Sequence, residues 1–153
     1  MSNSVIHTDT DVAYAAGLFD GEGTVGVERY GGRGYNVTAR VTNTNLDVLE
    51  WLRSRFGGFT QQAYAAHDNR KACFYWTAKA KIAEAFLEAV RPYLIIKRRQ
   101  ATIALIVRKF KNDTKSKHDM SPEQREVEKF FAELVKADRA PAIPSLTTTQ
   151  EGE

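Results

Sequence analysis

The sequence predicts an α/β domain of the α+β kind, with a four-stranded antiparallel sheet backed by helices on one face. Three observations predict it. Residues 24–30 and 35–42 alternate apolar and polar around the turn Gly31-Gly32-Arg33-Gly34, the period-two pattern of a hairpin. A second hairpin covers about 59–65 and 71–78, turning through His67-Asp68-Asn69-Arg70. After each hairpin the apolar residues return at helical spacing.

Each element has its own local cause. Thr8 or Thr10 caps a first helix running to about Phe19, and Gly21 is expected to end it. In the first hairpin Val25, Val27, Val37, Ala39 and Val41 share one face. Thr24, Gly26, Glu28, Tyr30, Asn36, Thr38, Arg40 and Thr42 share the other. Leu46, Leu49, Trp51, Leu52 and Phe56 form a helix stopped by Gly57-Gly58. Ile82, Ala83, Phe86, Leu87 and Val90 form another, which stops before Pro92. Ile96, Ile103, Ile106, Val107 and Phe110 mark the stripe of the next. Ser121-Pro122-Glu123-Gln124 is a helix start, with Ser as N-cap, Pro at the first helical position and Gln closing a capping box. Val127, Phe130, Phe131 and Leu134 are its expected buried face. From Ala140 the Pro, Ser and Thr content suggests a loose tail, so the expected domain is 1–139 and the tail 140–153. The order is αββαββα followed by two helices.

Bulk properties narrow the function. At 153 residues the chain fits one domain, burying roughly two-thirds of its unfolded surface. Its 42% hydrophobic and 27% charged content suits a soluble globular protein. No apolar run approaches the ~18 residues of a membrane span, and residues 1–11 lack the basic start and apolar block of a secretory signal, so no membrane partner is expected. Cys73 stands alone, which excludes an internal disulfide and a cysteine-rich zinc site and makes a reducing, intracellular compartment the default. The net charge is +3, yet nine Lys or Arg fall between Arg91 and Lys117 against one acid, Asp113. That excess suits a polyanion such as nucleic acid, or a solvated helix face beside a charged loop.

One stretch carries most of the chemistry: Tyr14-Ala-Ala-Gly-Leu-Phe-Asp-Gly-Glu-Gly-Thr24. A helix of small and apolar residues breaks at glycine and sets Glu22 between two glycines, where a metal ion could reach both a carboxylate and a backbone carbonyl. Gly21-Glu22-Gly23-Thr24-Val25-Gly26 also fits G-x-G-x-x-G. A dinucleotide loop, however, needs the strand before it and the helix after it, and Glu22 would repel phosphate. Small residues on one helix face at Ala13, Ala16 and Gly17 permit close backbone approach, against the domain's own sheet or against a second helix. His7, His67 and His118 show no metal-ligand spacing.

This stretch resembles the signature helix of the LAGLIDADG homing endonucleases. Pro92-Tyr93-Leu94-Ile95-Ile96-Lys97-Arg98-Arg99-Gln100-Ala101 resembles that family's second recognisable segment, and Val41-Thr42-Asn43 ends the second strand where members carry Gln or Asn. The resemblance reaches about residue 110. It implies the LAGLIDADG fold and a site-specific DNA endonuclease that cuts both strands of a long, nearly palindromic site across the minor groove. The signature occurs once, which implies a homodimer through Ala13, Ala16 and Gly17. It implies catalytic roles for Glu22, Asn43 and Lys97: Glu22 and the Gly21 carbonyl holding Mg²⁺, Asn43 ordering the attacking water, and Lys97 facing the scissile phosphate. Mn²⁺ is expected to substitute, and Ca²⁺ to support binding without efficient cleavage. The family acid is commonly Asp, whereas Glu22 is one methylene longer; Asp20 is read as structural.

Double-stranded DNA is then the partner of the polar sheet face. The expected contacts are Thr24, Glu28, Tyr30, Asn36, Thr38, Arg40, Thr42, Gln61, Lys71, Tyr75 and Thr77, with Cys73 on the same face and Arg98 and Arg99 on phosphates. Phe74, Trp76 and Ala78 would face the core. An eight-residue strand spans about 26 Å, or about eight base pairs, so two copies read roughly 16. The alternative is a non-enzymatic binder on the same fold: an intron maturase gripping RNA, or a DNA-binding regulator.

Overall fold

Helix α1 (Asp9–Glu22) begins where Thr8 and Asp11 cap each other: the Thr8 hydroxyl accepts the Asp11 N–H and the Asp11 carboxylate accepts the Thr8 N–H. The computed structural model describes residues 7–29, 35–113 and 121–138, so Tyr30, the glycine-rich turn and the tail lie outside it. After α1 come β1 (Gly23–Arg29), β2 (Tyr35–Asn43), α2 (Leu46–Phe56), β3 (Phe59–Tyr64), β4 (Cys73–Lys79) and α3 (Ala80–Val90). A single 3-10 turn at Arg91–Tyr93 leads to α4 (Arg98–Asp113), and α5 (Pro122–Ala137) follows. The order predicted from sequence stands.

The four strands form one antiparallel sheet in the order β1-β2-β4-β3. Val25, Val27, Val37, Ala39, Val41, Trp76 and Ala78 are buried beneath it, as their alternation predicts. The helices lie on that side: α1, α2 and α3 against the centre of the sheet, and α4 and α5 toward β1. The core is aromatic at its middle, where Phe86 meets Phe19, Phe56 and Trp76 edge-on. The Trp76 indole N–H is satisfied by the Gly57 carbonyl at 2.7 Å.

Several expectations are corrected. Gly21 does not end α1; the helix continues through Glu22 and stops at Gly23. A Cβ at Gly23 would lie 2.3 Å from the Phe19 ring and 2.4 Å from its carbonyl oxygen, so only glycine lets the chain turn there. Ile82, Ile96 and Ile106, predicted on apolar stripes, are exposed. In α5 the capping box and Pro122 form as expected, but the buried face is rotated. Glu128, Ala132 and Val135 point inward, while Val127 and Phe130 are exposed and Phe131 and Leu134 are half-buried. Among the described residues, no helix is long and apolar enough to cross a membrane.

Candidate nucleic-acid interface and acid site

Among the described residues no helix covers the far side of the sheet, and register arranges its side chains in rows. Glu28 lies opposite Asn36. Gly26, Thr38 and Lys79 form the next rung, then Thr24, Arg40, Thr77 and Phe59, then Thr42, Tyr75 and Gln61. Pairing with Tyr75 fixes Gln61 on this face, which sequence parity alone left open. Thr24, Glu28, Arg40, Thr42 and Gln61 are exposed, and Asn36 and Tyr75 half-buried.

Three predicted contacts sit differently. Thr38 is buried because its hydroxyl fills the space above Gly26, where a Cβ would come within 2.2 Å of Thr38 Oγ1. Thr77 is fully buried: the Arg40 Nε donates to its Oγ1 at 3.2 Å, and the Arg40 guanidinium lies 4.7 Å from the centre of the Tyr75 ring. Lys71 is exposed but precedes β4, which starts at Cys73, so alternation does not assign it to the face. Cys73 is itself buried.

Two residues of this face escaped the sequence reading. Phe59 is exposed, with the Lys79 ammonium 5.4 Å from its ring centre. Carrying the alternation of β4 one step past Thr77 would have found Lys79. The same alternation carried back from the expected Gln61 reaches Phe59, and pairing with Thr77 and Tyr75 fixes both on this face.

The basic segment is less free than its composition suggests. Arg108 is buried and bonded through Nε and Nη2 to Glu84, at 3.0 and 2.8 Å. Lys111 donates to the Tyr35 carbonyl and to Asn36 Oδ1. Arg98 is exposed, with Nη2 on the Pro92 carbonyl at 3.2 Å, and Arg99 is exposed with Asp138 at 3.5 Å. Lys115 and Lys117 lie outside the described residues.

At the C-terminal end of α1 the signature acids divide. The Asp20 carboxylate accepts three backbone N–H groups, from Ile95 at 2.8 Å, Lys97 at 3.0 Å and Ile96 at 3.3 Å. The Lys97 ammonium returns to the Asp20 carbonyl. Burial is the largest single influence on Asp20 and opposes its ionisation, but the three amides and the Lys97 charge together outweigh it and hold the carboxyl below its ordinary 3.8. Asp20 is therefore structural.

Glu22 is different. It is exposed in the last turn of α1, a turn without any basic residue of its own, and makes no hydrogen bond or ion pair among the described residues. A carboxylate at the negative end of a helix is unfavourable unless a cation meets it. The Gly21 carbonyl nearby lacks an intrahelical donor, because the chain has already turned into β1 at Gly23. Gly23 lies opposite Val41, so Thr42 and Asn43 run on beside this turn. The Asn43 Oδ1 accepts the Asn45 N–H at 2.8 Å. A cleft of about 370 Å³ opens between Gly23, Thr24, Ile96, Lys97, Gln100 and Asp138. Among the described residues no three acids, histidines or cysteines cluster to hold a metal.

On the outer face of α1, Ala13, Tyr14, Gly17 and Gly21 are exposed, and a Cβ at Gly17 or Gly21 would meet nothing within 4 Å. Ala16, expected on that face, is instead buried in the protomer's own core with Val12, Ala15 and Phe19. It points inward because it stands one residue, about 100° of helix, from Gly17.

No protein-family model and no curated protein matches this sequence. Solved structures do match the fold. The homing endonuclease I-CvuI, in complex with a target in the presence of 2 mM Mg with the DNA not cleaved, superposes with a TM-score of 0.69 at 20% identity, over 88% of this chain and 87% of that one. The archaeal intron-encoded homing endonuclease I-Vdi141I, complexed with DNA, gives 0.69 at 16% identity, over 90% and 89%. The LAGLIDADG homing endonuclease I-SmaMI, bound to cleaved DNA, gives 0.65 at 15% identity, over 85% of this chain but 45% of its own.

Proposed function

Starting from the LAGLIDADG homing endonuclease fold of this chain, we propose that it is a site-specific DNA endonuclease acting as a homodimer with a divalent cation, Mg²⁺ in the first instance. The state of Glu22 carries the proposal. An exposed carboxylate at the negative end of α1, beside a polar sheet face, has no structural partner among the described residues. Asp20, two residues earlier, shows what a structural acid in this segment looks like.

Glu22 and the Gly21 carbonyl are hard oxygen ligands of the kind Mg²⁺ takes. They are too few to enclose it alone, which suits a site completed by DNA phosphates and a second copy of the chain. When bound, a cation there supplies charge relief on the phosphoryl oxygens and an acidified water. The remaining work belongs to the protein. Lys97, held by the Asp20 bracket, sets a positive charge near the phosphate without needing to be ordered at the moment of reaction. Asn43 spends an Oδ1 lone pair on Asn45 and keeps its Nδ2 hydrogens to donate to a water. The small-residue stripe of Ala13, Gly17 and Gly21 would let two α1 helices approach closely and bring one Glu22 side chain to each of the two scissile phosphates.

The open face would follow the major groove of each half-site. The nine residues of β2 span about 30 Å, or about nine base pairs. Arg40 is its best-ordered reader, and two-fold symmetry of the protein makes the target nearly palindromic. Cleavage of duplex DNA carrying the intron-free insertion locus, with Mg²⁺ and with EDTA, tests the proposal. A discrete double-strand break that requires the metal supports it, and intact DNA under both conditions overturns it.

A further inference from the structure

Pairing between β2 and β4 ends at Thr38 with Lys79, so Tyr35, Asn36 and Val37 have no β4 partner. Two charged side chains from the C-terminal helices hold the chain there. The Glu128 Oε2 of α5 accepts the Tyr35 N–H at 3.2 Å. The Lys111 Nζ of α4 donates to the Tyr35 carbonyl and to Asn36 Oδ1, both at 2.8 Å. Glu128 is 1% exposed and its Oε1 has no partner among the described residues, so an acid is buried at some cost where this strand starts.

The contact with Asn36 has a chemical consequence. An ammonium has hydrogens to give and no lone pair to accept with, so the amide atom facing Lys111 is the oxygen. The Asn36 Nδ2 then points away from Lys111, and it has no partner among the described residues. Asn36 lies opposite Glu28 on the open face, in alternation with Thr38 and Arg40. Its free capacity there is that of a donor.

We propose that Lys111 is a positioning residue that fixes Asn36 as a hydrogen-bond donor and so makes it select guanine at one position of each half-site. The inference rests on the sheet face being the DNA-binding surface. Asparagine reads adenine by accepting from N6 with its oxygen while donating to N7. The Lys111 ammonium takes one lone pair of that oxygen and sets a positive charge beside it, which disfavours the approach of the N6 hydrogens. Guanine presents acceptors at both N7 and O6, so it takes the Asn36 donor and gains from the same charge.

The test uses the full chain and duplexes recovered by it from a randomised library, followed by binding to each single-base variant. Asn36→Ala is expected to flatten preference at one position per half-site. At that position the unmutated protein is expected to favour guanine over adenine by about fivefold or more. Lys111→Met frees the amide oxygen and should abolish or invert that ratio while preferences elsewhere stay as they were. A merely structural role for Lys111 would weaken all positions alike. Should Lys111→Met fold poorly, Asn36→Asp serves instead: its carboxylate keeps the lysine contact but has no donor, and the guanine preference should vanish. An unchanged ratio in either variant, or an Asn36→Ala profile identical to the unmutated one, overturns this inference alone. Failure of the unmutated protein to select any duplex overturns the DNA-binding reading together with it.

Discussion

Asp20 and Lys97 are bonded in both directions: the Asp20 carboxylate accepts the Lys97 backbone N–H at 3.0 Å, and the Lys97 ammonium donates to the Asp20 carbonyl. One acid thereby joins the end of α1 to the segment before α4 and holds the amine against the last turn of α1.

This bracket makes stability depend on pH. The folded carboxyl ionises below its ordinary value, so its contribution is complete above about pH 4 and is lost as the pH falls through the depressed value. Asp20→Asn should be less stable than the unmutated protein at pH 7, and the gap should close below about pH 4. Chemical denaturation from pH 3 to 7 measures it. A gap that stays constant with pH would show that the charge of Asp20 is not what holds the segment.

Gly17→Leu is a clean probe of assembly. Among the described residues, nothing beyond the local backbone of α1 lies within 4 Å of a Cβ at Gly17, so the change is expected to spare the fold and to act on a helix packed against it. Sedimentation should give a DNA-bound dimer for the unmutated protein and weakened dimerisation for the variant, with double-strand cutting lost and melting temperature nearly unchanged. A monomer for the unmutated protein on its target would sink the dimer.

Arg40 is held within the protomer by Thr77, which accepts from its Nε, and by the Tyr75 ring. A side chain ordered in advance loses less entropy on binding. Arg40→Ala should cost about 1–3 kcal/mol at one position of each half-site and leave other positions alone. Arg40→Lys should not restore it, since lysine lacks the planar fork. A cleavage profile unchanged across all single-base variants would remove Arg40 from readout.

Most of the fold is legible in local patterns, because alternation in β1, β2 and β4 and the caps of α1 and α5 are properties of neighbouring residues. The misreadings come from contacts that counting residue types does not show, some within one turn and some far along the chain. Gly21 and Gly23 look equivalent until the Phe19 ring is seen against Gly23. Ala16 and Gly17 are both small, and only the placement of the core beneath α1 separates them. In α5 apolar counting puts Phe130 inside, yet Phe130 is 60% exposed and Glu128 is buried on the Tyr35 amide, 93 residues away. At the candidate site, the resemblance to a family signature singled out Glu22, Gly21 and Lys97, and the fold brings Gly21, Glu22 and the Lys97 ammonium to the last turn of α1. The burial of Thr38 against Gly26 and of Thr77 under Arg40 depends on cross-strand neighbours, which no single strand reveals.

The account stands most directly on Glu22. Glu22→Gln keeps the size and hydrogen-bonding reach of the side chain and removes the charge that would hold a divalent cation. Cleavage of a target plasmid by both proteins, compared at matched DNA occupancy in Mg²⁺, is the deciding measurement. DNA binding should persist or tighten in the variant, because a negative charge facing phosphate is gone, while the cleavage rate falls by orders of magnitude. Equal rates at equal occupancy would contradict the central claim.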